Sequence, residues 1–283
     1  MSSDTLSPEL QFPFDELEKR IQYIQSQETK LHQFYKSLST EFQNSGDLGD
    51  SEEKSTIDEA EFQAGNFLYE MILSAFPDDS ILSEGQESHN GKNYFQWVLD
   101  PIDGSINFLR KIPLYAVSLG LQHRGSNAAG IILVPGLGDI YYATRTRGAY
   151  KNGNRIAVSD IAEMEHSVLV PGYPQDRKKQ IRSILAELSS VIVSGKTMRR
   201  SGSFCLDMCW LAEGRFDGLW ENNLSQEDTT AASIILLEAG GSLTDDTGVG
   251  FSEQTSNVVA SNSHIQKNLV TLLQKSHRDI HLN

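Results

Sequence analysis

Between residues 94 and 159 the chain alternates short apolar runs with turn residues, and this pattern constrains the fold more than any other feature. The runs read YFQWVLD, YAVSLGLQHRG, NAAGIILVPG, GDIYYATRTRGAYKNG and NRIAVS, and Gly, Pro, Asn or Asp separates them. Short strands joined by tight turns pair with their neighbours in the chain. The sequence therefore predicts a meander of antiparallel strands.

Helical periodicity surrounds this central region. Residues 15–42 carry apolar side chains at helical spacing, which predicts one long amphipathic helix. The acidic, glycine-containing stretch 43–56 is interpreted as an exposed loop, and a second helix is predicted at about 58–75. Further helices are predicted at 175–190, 203–213, 227–238 and 262–276, with short strands between them, including one at VIVSG from residue 191.

The order of these elements indicates an α+β body of layered helices and sheets. We expect an N-terminal tail over residues 1–14 and a single domain over 15–283, with a soft internal boundary near 155–165. The formal charge of −14 argues against a nonspecific nucleic-acid or anionic-membrane binder, since phosphate attraction would have the wrong sign. The N-terminus does not resemble a secretory signal, so a cytoplasmic location is predicted.

The segment WVLDPIDGSINFL places two aspartates where an apolar strand runs out. Pro101 cannot donate to a sheet, so the chain is expected to leave the sheet just after Asp100. Gly104 and Ser105 would then open a short helical turn whose backbone N–H groups point at an anion. Carboxylates at positions 100 and 103 are spaced to hold a divalent metal beside that anion.

A second interpretation of the same segment is structural. Asp-Pro and Asp-Gly are ordinary turn dipeptides, and an aspartate before a short helix also serves as its cap. A metal site requires further oxygen ligands from other parts of the chain. Glu84 after the apolar run SIL and Asp228 at a predicted helix start are the candidates.

Three segments together resemble the inositol monophosphatase family. WVLDPIDGSINFLRKIPLYAVSLGL resembles the signature W-x-x-D-P-x-D-G-T-x-N-F, RFDGLWENNLSQEDTTAASIILLEAGG resembles the W-D-x-A-A-G and E-A-G-G signature, and RRSGSFCLDMCWLAEG resembles the family's small-residue helix. The resemblance covers roughly residues 15 to 276. It implies a five-layered α-β-α-β-α sandwich, a lithium-sensitive Mg²⁺-dependent phosphomonoesterase, and a homodimer.

The resemblance also implies roles for individual residues. Two to three Mg²⁺ ions would be held by Glu84, Asp100, the carbonyl of Ile102, Asp103 and Asp228. The substrate would meet Asp103, Gly104, Ser105, Gly202, Ser203, Glu221 and Asp228. Glu61 and Ser105 would activate the attacking water, with Glu84 as the third catalytic residue.

Four positions depart from the family pattern. Glu61 stands where the family has aspartate, and Ser105 stands where it has threonine. Gly85 replaces an acidic neighbour of Glu84, which should weaken a third metal site, and Glu227 replaces the tryptophan of the second signature. A longer carboxylate matters because displacements of about 1 Å change catalytic rates.

The resulting expectation is hydrolysis of a sugar or polyol phosphate monoester by metal-activated water. Inositol-1-phosphate-like substrates are favoured, and fructose-1,6-bisphosphate, histidinol phosphate and 3'-phosphoadenosine 5'-phosphate are alternatives. A weakly active or non-catalytic binder of phosphate esters on the same scaffold is a further alternative. The predicted partners are a small phosphorylated sugar or polyol and a second copy of the chain, with no nucleic acid and no membrane.

Overall fold

The computed structural model describes residues 12–42, 50–172, 177–193 and 197–280. Three helices come first: α1 (Phe14–Ser26), α2 (Glu28–Glu41) and α3 (Asp50–Ala75). The prediction of one helix over 15–42 is wrong, because the chain turns at Gln27. The Gln27 N–H donates to the carbonyls of Ile24 (3.0 Å) and Tyr23 (3.2 Å), so the last turn of α1 tightens and α2 starts on a new axis.

Helix α3 starts earlier than its apolar periodicity indicates. The predicted loop 43–56 is helical from Asp50 onwards, and residues 43–49 lie outside the described part of the chain. The segment SEEKST is hydrophilic, but glutamate and lysine are strong helix formers. Glu53 on this first part of α3 also pairs with Arg110 at 2.6 Å, which ties the helix start to the body of the protein.

The predicted meander is confirmed as a seven-stranded sheet whose strands follow chain order. Strand β1 is parallel to β2, and every other neighbouring pair is antiparallel. The strands are β1 (Ser80–Ser83), β2 (Phe95–Asp103), β3 (Ala116–His123), β4 (Ser126–Val134), β5 (Asp139–Thr144), β6 (Gly148–Lys151) and β7 (Asn154–Ile156). The short helix α4 (Ser105–Leu109) lies between β2 and β3.

Strand β2 does not end at Asp100, which corrects the expectation drawn from Pro101. Asp100 pairs with Ser118 and Asp103 pairs with Ala116, so three steps along β2 span two steps along β3. The extra residue makes a β-bulge, where proline is tolerated because no ladder hydrogen bond is required of it. Both aspartates therefore stay on the strand, and the bulge changes the direction in which they point.

A second sheet has five strands in the order β11-β12-β10-β8-β9. Its elements and the remaining helices are β8 (Val168–Val170), α5 (Arg177–Val193), β9 (Thr197–Met198), α6 (Phe204–Ala212), β10 (Gly218–Glu221), α7 (Gln226–Glu238), β11 (Ser242–Thr244), β12 (Val258–Ser261) and α8 (Gln266–Ile280). The predicted strand at VIVSG is wrong for residues 191–193, which continue α5, and residues 194–195 lie outside the described part of the chain. Val191 is buried while Ile192 and Val193 are exposed, which is helical rather than strand-like burial.

Three hydrophobic cores separate five layers. Helices α1, α2 and α3 pack on one face of the first sheet, and α6 and α7 fill the space between the two sheets. Helices α5 and α8 cover the outer face of the second sheet. The predicted α-β-α-β-α sandwich is thereby confirmed. Across the described ranges, no helix has both the length and the apolar character needed to cross a membrane.

A buried ion pair fixes α1 to the edge of the first sheet. The Arg20 guanidinium binds the Asp79 carboxylate through Nε (2.8 Å) and Nη2 (2.6 Å). Trp97 Nε1 and Asn93 Nδ2 donate to the same carboxylate at 2.9 and 2.7 Å, and the Arg20 guanidinium lies 3.8 Å from the ring centre of Phe95. Asp79 and Arg20 are both buried, so water cannot replace the Asp79 carboxylate as the hydrogen-bond partner of the Arg20 guanidinium.

We predict that Asp79→Asn lowers the free energy of unfolding by about 3 kcal/mol, because the buried guanidinium loses its buried counter-charge and keeps only the half-exposed Glu16 carboxylate, 3.3 Å from Nη1. Urea unfolding followed by tryptophan fluorescence measures this change. Asp78→Asn is the matched control, since Asp78 is exposed and its nearest cation, Lys92, is 3.9 Å away. Equal loss of stability in both variants would contradict a structural role for the buried pair.

Candidate active site

Strand ends and helix starts carry four candidate carboxylates to one region of the molecule. Glu84 follows β1, Asp100 and Asp103 flank the bulge of β2, and Asp228 lies in the first turn of α7. Burial raises the pKa of Asp100 well above its ordinary range, and the charges of Asp103, Glu84 and Asp228 raise it further. The four acidic residues therefore lie within electrostatic reach of one another, as the sequence predicts.

Removal from water is the main reason why these carboxyl groups resist ionisation. Burial raises the pKa of Asp103 to about 6, although a hydrogen bond from Ser203 opposes the shift. Glu84 keeps one side open to solvent, yet the partial burial of its carboxyl group, followed by the charge of Glu61, raises its pKa to about 7. Burial also raises the pKa of Asp228. The region thus concentrates negative charge that a cation would relieve.

The Asp103 carboxylate caps the start of α6. Its Oδ2 accepts hydrogen bonds from Ser203 Oγ (2.5 Å) and Cys205 N (2.6 Å), and its Oδ1 accepts from Phe204 N (3.3 Å). Ser203 Oγ in turn accepts from Leu206 N at 3.2 Å, as the N-cap of the same helix. The capping role that the sequence left open for an aspartate of this motif is therefore real, but it serves α6 and not the adjacent α4.

Asp228 and Asp100 also accept hydrogen bonds from the protein. Asp228 Oδ2 accepts from Ser225 N (2.7 Å) and Ser225 Oγ (3.0 Å) in a capping box, and Asp100 Oδ1 accepts from Ile102 N (3.0 Å). In the described part of the chain, no three His, Cys, Asp or Glu side chains are grouped closely enough to hold a metal ion. The donors still suit a hard divalent cation, because they are all oxygens and each carboxylate has more lone pairs than hydrogen bonds to fill them.

Glu61 and Ser105 meet across the boundary between α3 and α4. Ser105 Oγ lies 2.5 Å from Glu61 Oε1 and 3.0 Å from the Ile102 carbonyl oxygen. Burial raises the pKa of Glu61, while the hydrogen bond from Ser105 opposes that shift. The structure thus brings together the two residues that the sequence predicts as a water-activating pair, despite both substitutions.

Two glycines allow the loops around the bulge to come close. Gly104 has φ of +92°, and a Cβ there would lie 3.2 Å from Ser203 Cβ. Gly202 has φ of +96°, and a Cβ there would lie 2.8 Å from Asn107 Nδ2. Positive φ and close contact both require glycine at these positions. Of the predicted substrate residues, Gly104, Ser105, Gly202 and Ser203 therefore form one packed surface.

Glu221 is the last residue of β10, the central strand of the second sheet. Its Oε2 lies 3.0 Å from Arg200 Nη1, and the same Nη1 donates to the Pro171 carbonyl at 2.7 Å. Arg200, in the loop that leads to Gly202, thus holds the Glu221 carboxylate in one orientation. Arg200 is therefore a positioning residue for this predicted substrate contact.

Two residues near the site were not singled out from the sequence. Asn107 Nδ2 donates to the carbonyls of Leu114 (2.6 Å) and Ser201 (2.9 Å), so it joins the two loops that flank the bulge. Asp207 on α6 accepts from Ser201 N at 3.2 Å, and burial raises its pKa to about 7. Asn107 is the asparagine of the W-x-x-D-P-x-D-G-T-x-N-F signature, which is its signal in the sequence, whereas Asp207 resembles an ordinary helix residue.

Comparison with known proteins gives a consistent result. A model described as the inositol monophosphatase family matches residues 18–278. The chain is 33% identical over 207 residues to the putative Nus factor SuhB of Neisseria meningitidis serogroup B, covering 73% of this chain and 79% of that protein. It is 33% identical over 220 residues to the inositol-1-monophosphatase of Mesorhizobium japonicum, covering 77% of this chain and 83% of that protein.

The fold comparison extends over more of the chain. The crystal structure of the extragenic suppressor protein suhB from Bartonella henselae superimposes with a TM-score of 0.81 at 30% identity. The match covers 91% of this chain and 99% of that chain. The layered architecture and the arrangement of its helices are therefore shared with experimentally solved relatives.

In EDTA, we predict that the protein loses stability as the pH rises from about 5 to about 8. The pKa values of Asp103 and Glu84 lie above those of the unfolded chain, so in this window the folded state binds more protons than the unfolded state and the free energy of unfolding falls with pH. Asp100→Asn removes one of the mutually repelling charges and should flatten the decline in melting temperature. Asp160→Asn makes the same charge change at an exposed position and should leave this decline unchanged. An equal dependence of melting temperature on pH in both variants would contradict the prediction.

Proposed function

The chain belongs to the inositol monophosphatase family, and we propose that it is a Mg²⁺-dependent phosphatase of sugar or polyol phosphate monoesters. One observation carries this proposal. Burial raises the pKa of Asp100 at the bulge of β2, and the charges of Asp103, Glu84 and Asp228 raise it further, directly beside the glycine turn that opens α4. Such a charge concentration destabilises a metal-free protein, and a divalent cation together with a phosphate would neutralise it.

Glu84, Asp100, the Ile102 carbonyl, Asp103 and Asp228 are the proposed ligands of Mg²⁺. When bound, the cation supplies Lewis acidity that offsets the charge of the phosphate and of the departing alkoxide. The phosphate oxygens would accept hydrogen bonds from the backbone N–H groups at the start of α4, since the first N–H groups of a helix have no partner within it.

Glu61 and Ser105 would handle the proton of the attacking water. A water that donates to Ser105 Oγ would pass its proton through this hydroxyl to Glu61 Oε1, because the two atoms lie 2.5 Å apart. The raised pKa of Glu61 suits this role, since a more basic carboxylate is a better proton acceptor. In-line attack would then release the alcohol without a covalent intermediate on the protein.

The polyol side of the substrate would lie against Gly202, Ser203 and Glu221. Glu221 is a hydrogen-bond acceptor held by Arg200, so a substrate with hydroxyl groups near its phosphate fits best. We favour inositol-1-phosphate-like compounds, with fructose-1,6-bisphosphate, histidinol phosphate and 3'-phosphoadenosine 5'-phosphate as alternatives. Gly85 in place of an acidic neighbour supports two firmly held ions and a weaker third.

The remaining parts of the proposal concern the whole protein. We propose a lithium-sensitive homodimer that works in the cytoplasm. We further propose that residues 15–283 form a single domain behind a tail over 1–14. The competing proposal is a protein that binds phosphate esters without hydrolysing them. It is suggested by the departures from the family pattern at Glu61, Gly85 and Glu227.

The first test is phosphate release from the four named substrates across a range of Mg²⁺ concentrations. We predict turnover that requires Mg²⁺, and a loss of about 10²-fold or more in kcat for Asp100→Asn, since both proposed cations share this ligand. Asp160→Asn serves as the charge-matched control and should retain the parent rate. Calorimetric binding of these esters without any release of phosphate would establish a binding protein and refute the proposed catalysis.

The second test concerns the water-activating pair. We predict that Glu61→Gln and Ser105→Ala each lower kcat by about 10²-fold with little change in KM, because they act on the water and not on substrate affinity. The double variant should be hardly slower than either single variant, since both remove the same proton path. Glu59→Gln, an exposed position on the same helix, is the control; additive losses would show that the two residues act independently.

A further inference from the structure

A cavity of about 390 Å³ lies between α2, the segment that follows α4, and the turn between β4 and β5. None of the carboxylates of the candidate active site lines it. Aromatic and aliphatic walls come from Phe108, Ile112, Pro113, Tyr115 and Pro135. This volume suits a small organic molecule, and the walls suit a compact apolar body.

The charge of this cavity is opposite to that of the protein as a whole. Lys36 on α2 and Lys111 just after α4 both line it, together with His32 and the hydroxyl groups of Ser39 and Thr40. None of its described lining residues is acidic, although the chain carries a formal charge of −14. Within the described ranges, neither lysine has a carboxylate oxygen within ion-pair distance. The cavity therefore presents two cations to a ligand in an otherwise acidic molecule.

His32, which lines the cavity, also has a buried polar atom without a partner in the described part of the chain. Its Nδ1 lies 3.1 Å from the Glu28 carbonyl oxygen, which can only accept, so Nδ1 carries the hydrogen. Its Nε2 is buried and forms no hydrogen bond with any part of the chain that the structure describes. Buried polar atoms of this kind cost stability unless a ligand or water satisfies them.

Helical spacing explains why these polar groups share one side of α2. His32, Lys36 and Ser39 recur at intervals of four and three, so they lie along one face of the helix. The adjacent face carries Leu31 and Leu38, which are buried in the first core. The cavity face is therefore a constructed polar surface and not a gap left by poor packing.

The other wall is held in place by backbone contacts. The Ile112 N–H donates to the Asn107 carbonyl at 2.9 Å, and a Cβ on Gly136 would lie 2.5 Å from the Pro113 carbonyl oxygen. Lys111 itself adopts φ of +62°, a left-handed conformation that turns the chain around the end of α4. Such fixed walls mean that a ligand would enter a preformed site and lose little free energy in ordering the protein.

We propose that this cavity binds a small organic phosphate or phosphonate with a compact apolar body. The anionic group lies between the ammonium groups of Lys36 and Lys111. The body of the ligand packs on Phe108 and Ile112. The cavity is a second ligand site, on the side of α4 that faces away from the carboxylates.

Both walls of the cavity connect to the backbone of the candidate active site. On α2, Tyr35 Oη donates to the Pro101 carbonyl at 2.8 Å, so this helix touches the bulge that carries the carboxylates. On α4, the Phe108 N–H donates to the Gly104 carbonyl at 3.0 Å, so the cavity wall and the phosphate turn belong to one helix. A ligand that contacts both helices therefore alters turnover, a consequence that rests on the proposed phosphatase function.

The test is titration calorimetry of the full chain with phenylphosphonate in EDTA. The carbon–phosphorus bond of this probe resists hydrolysis, and without metal the acidic active site repels an anion. We expect one molecule bound per chain, and at least about tenfold weaker binding by the Lys36→Gln, Lys111→Gln double variant, since charged hydrogen bonds are lost. The double variant Lys267→Gln, Lys275→Gln, with the same charge change on α8, should bind as the parent does.

Several outcomes would overturn the assignment. Absence of binding to the parent protein, or equal affinity of both double variants, would refute the anion site. Equal binding of benzyl alcohol, an uncharged probe, would show that the cavity recognises only the apolar body and would refute the role of the lysines. These measurements do not use turnover, so they stand or fall separately from the phosphatase proposal.

A kinetic arm tests the connection to catalysis. With Mg²⁺ and the best substrate, saturating phenylphosphonate should change kcat of the parent protein and leave kcat of the Lys36→Gln, Lys111→Gln variant unaffected. Competition at the active site would raise KM equally in both proteins and is thereby distinguished. An unchanged kcat in the parent protein would refute the coupling through α2 and α4.

Discussion

The hydrogen bonds between Asp103 and the start of α6 are the constraint on which the site depends. Asp103 belongs to the first sheet, whereas α6 packs between the sheets beside β10 of the second. Donors from Ser203, Phe204 and Cys205 converge on one carboxylate, so a single side chain connects the two halves of the sandwich. Because the bulge at Pro101 sets the direction of Asp103, it also sets how the phosphate turn and the loop at Gly202 meet.

This arrangement concentrates charge where the protein is least able to solvate it. Asp100, Asp103 and Asp228 accept hydrogen bonds from the protein, yet burial and repulsion between neighbouring carboxylates keep the pKa values of Asp100, Asp103 and Glu84 above their ordinary range. Hydrogen bonds alone therefore do not neutralise the cluster. The fold tolerates this cost because other buried charges, such as the Arg20–Asp79 pair, are fully compensated.

Secondary-structure elements with a strong hydrophobic periodicity were predicted correctly from the sequence. The prediction failed at segments whose apolar pattern and intrinsic helix propensity indicate different structures. The meander follows from the alternation of apolar runs and turns, whereas the five layers were expected from the resemblance to the inositol monophosphatase family. The start of α3 was missed because its first turns are exposed and acidic, and VIV was assigned to a strand because an apolar triplet fits either state. The site residues were identified through the family signature, while the contacts of Asn107 and Asp207 depend on loops that meet only in the folded chain.

The substitutions at Glu61 and Ser105 are best understood as a pair. Relative to the family pattern, serine in place of threonine removes one methyl group, and glutamate in place of aspartate adds one methylene, so the carbon count is conserved. Volume-conserving exchanges are the ones that packed interiors tolerate best. The Glu61 carboxylate lies 2.5 Å from Ser105 Oγ, so the pair is hydrogen-bonded. The extra methylene of Glu61 takes the space of the methyl group that Ser105 lacks. Changing either residue alone back to the family type would therefore leave a gap or a clash.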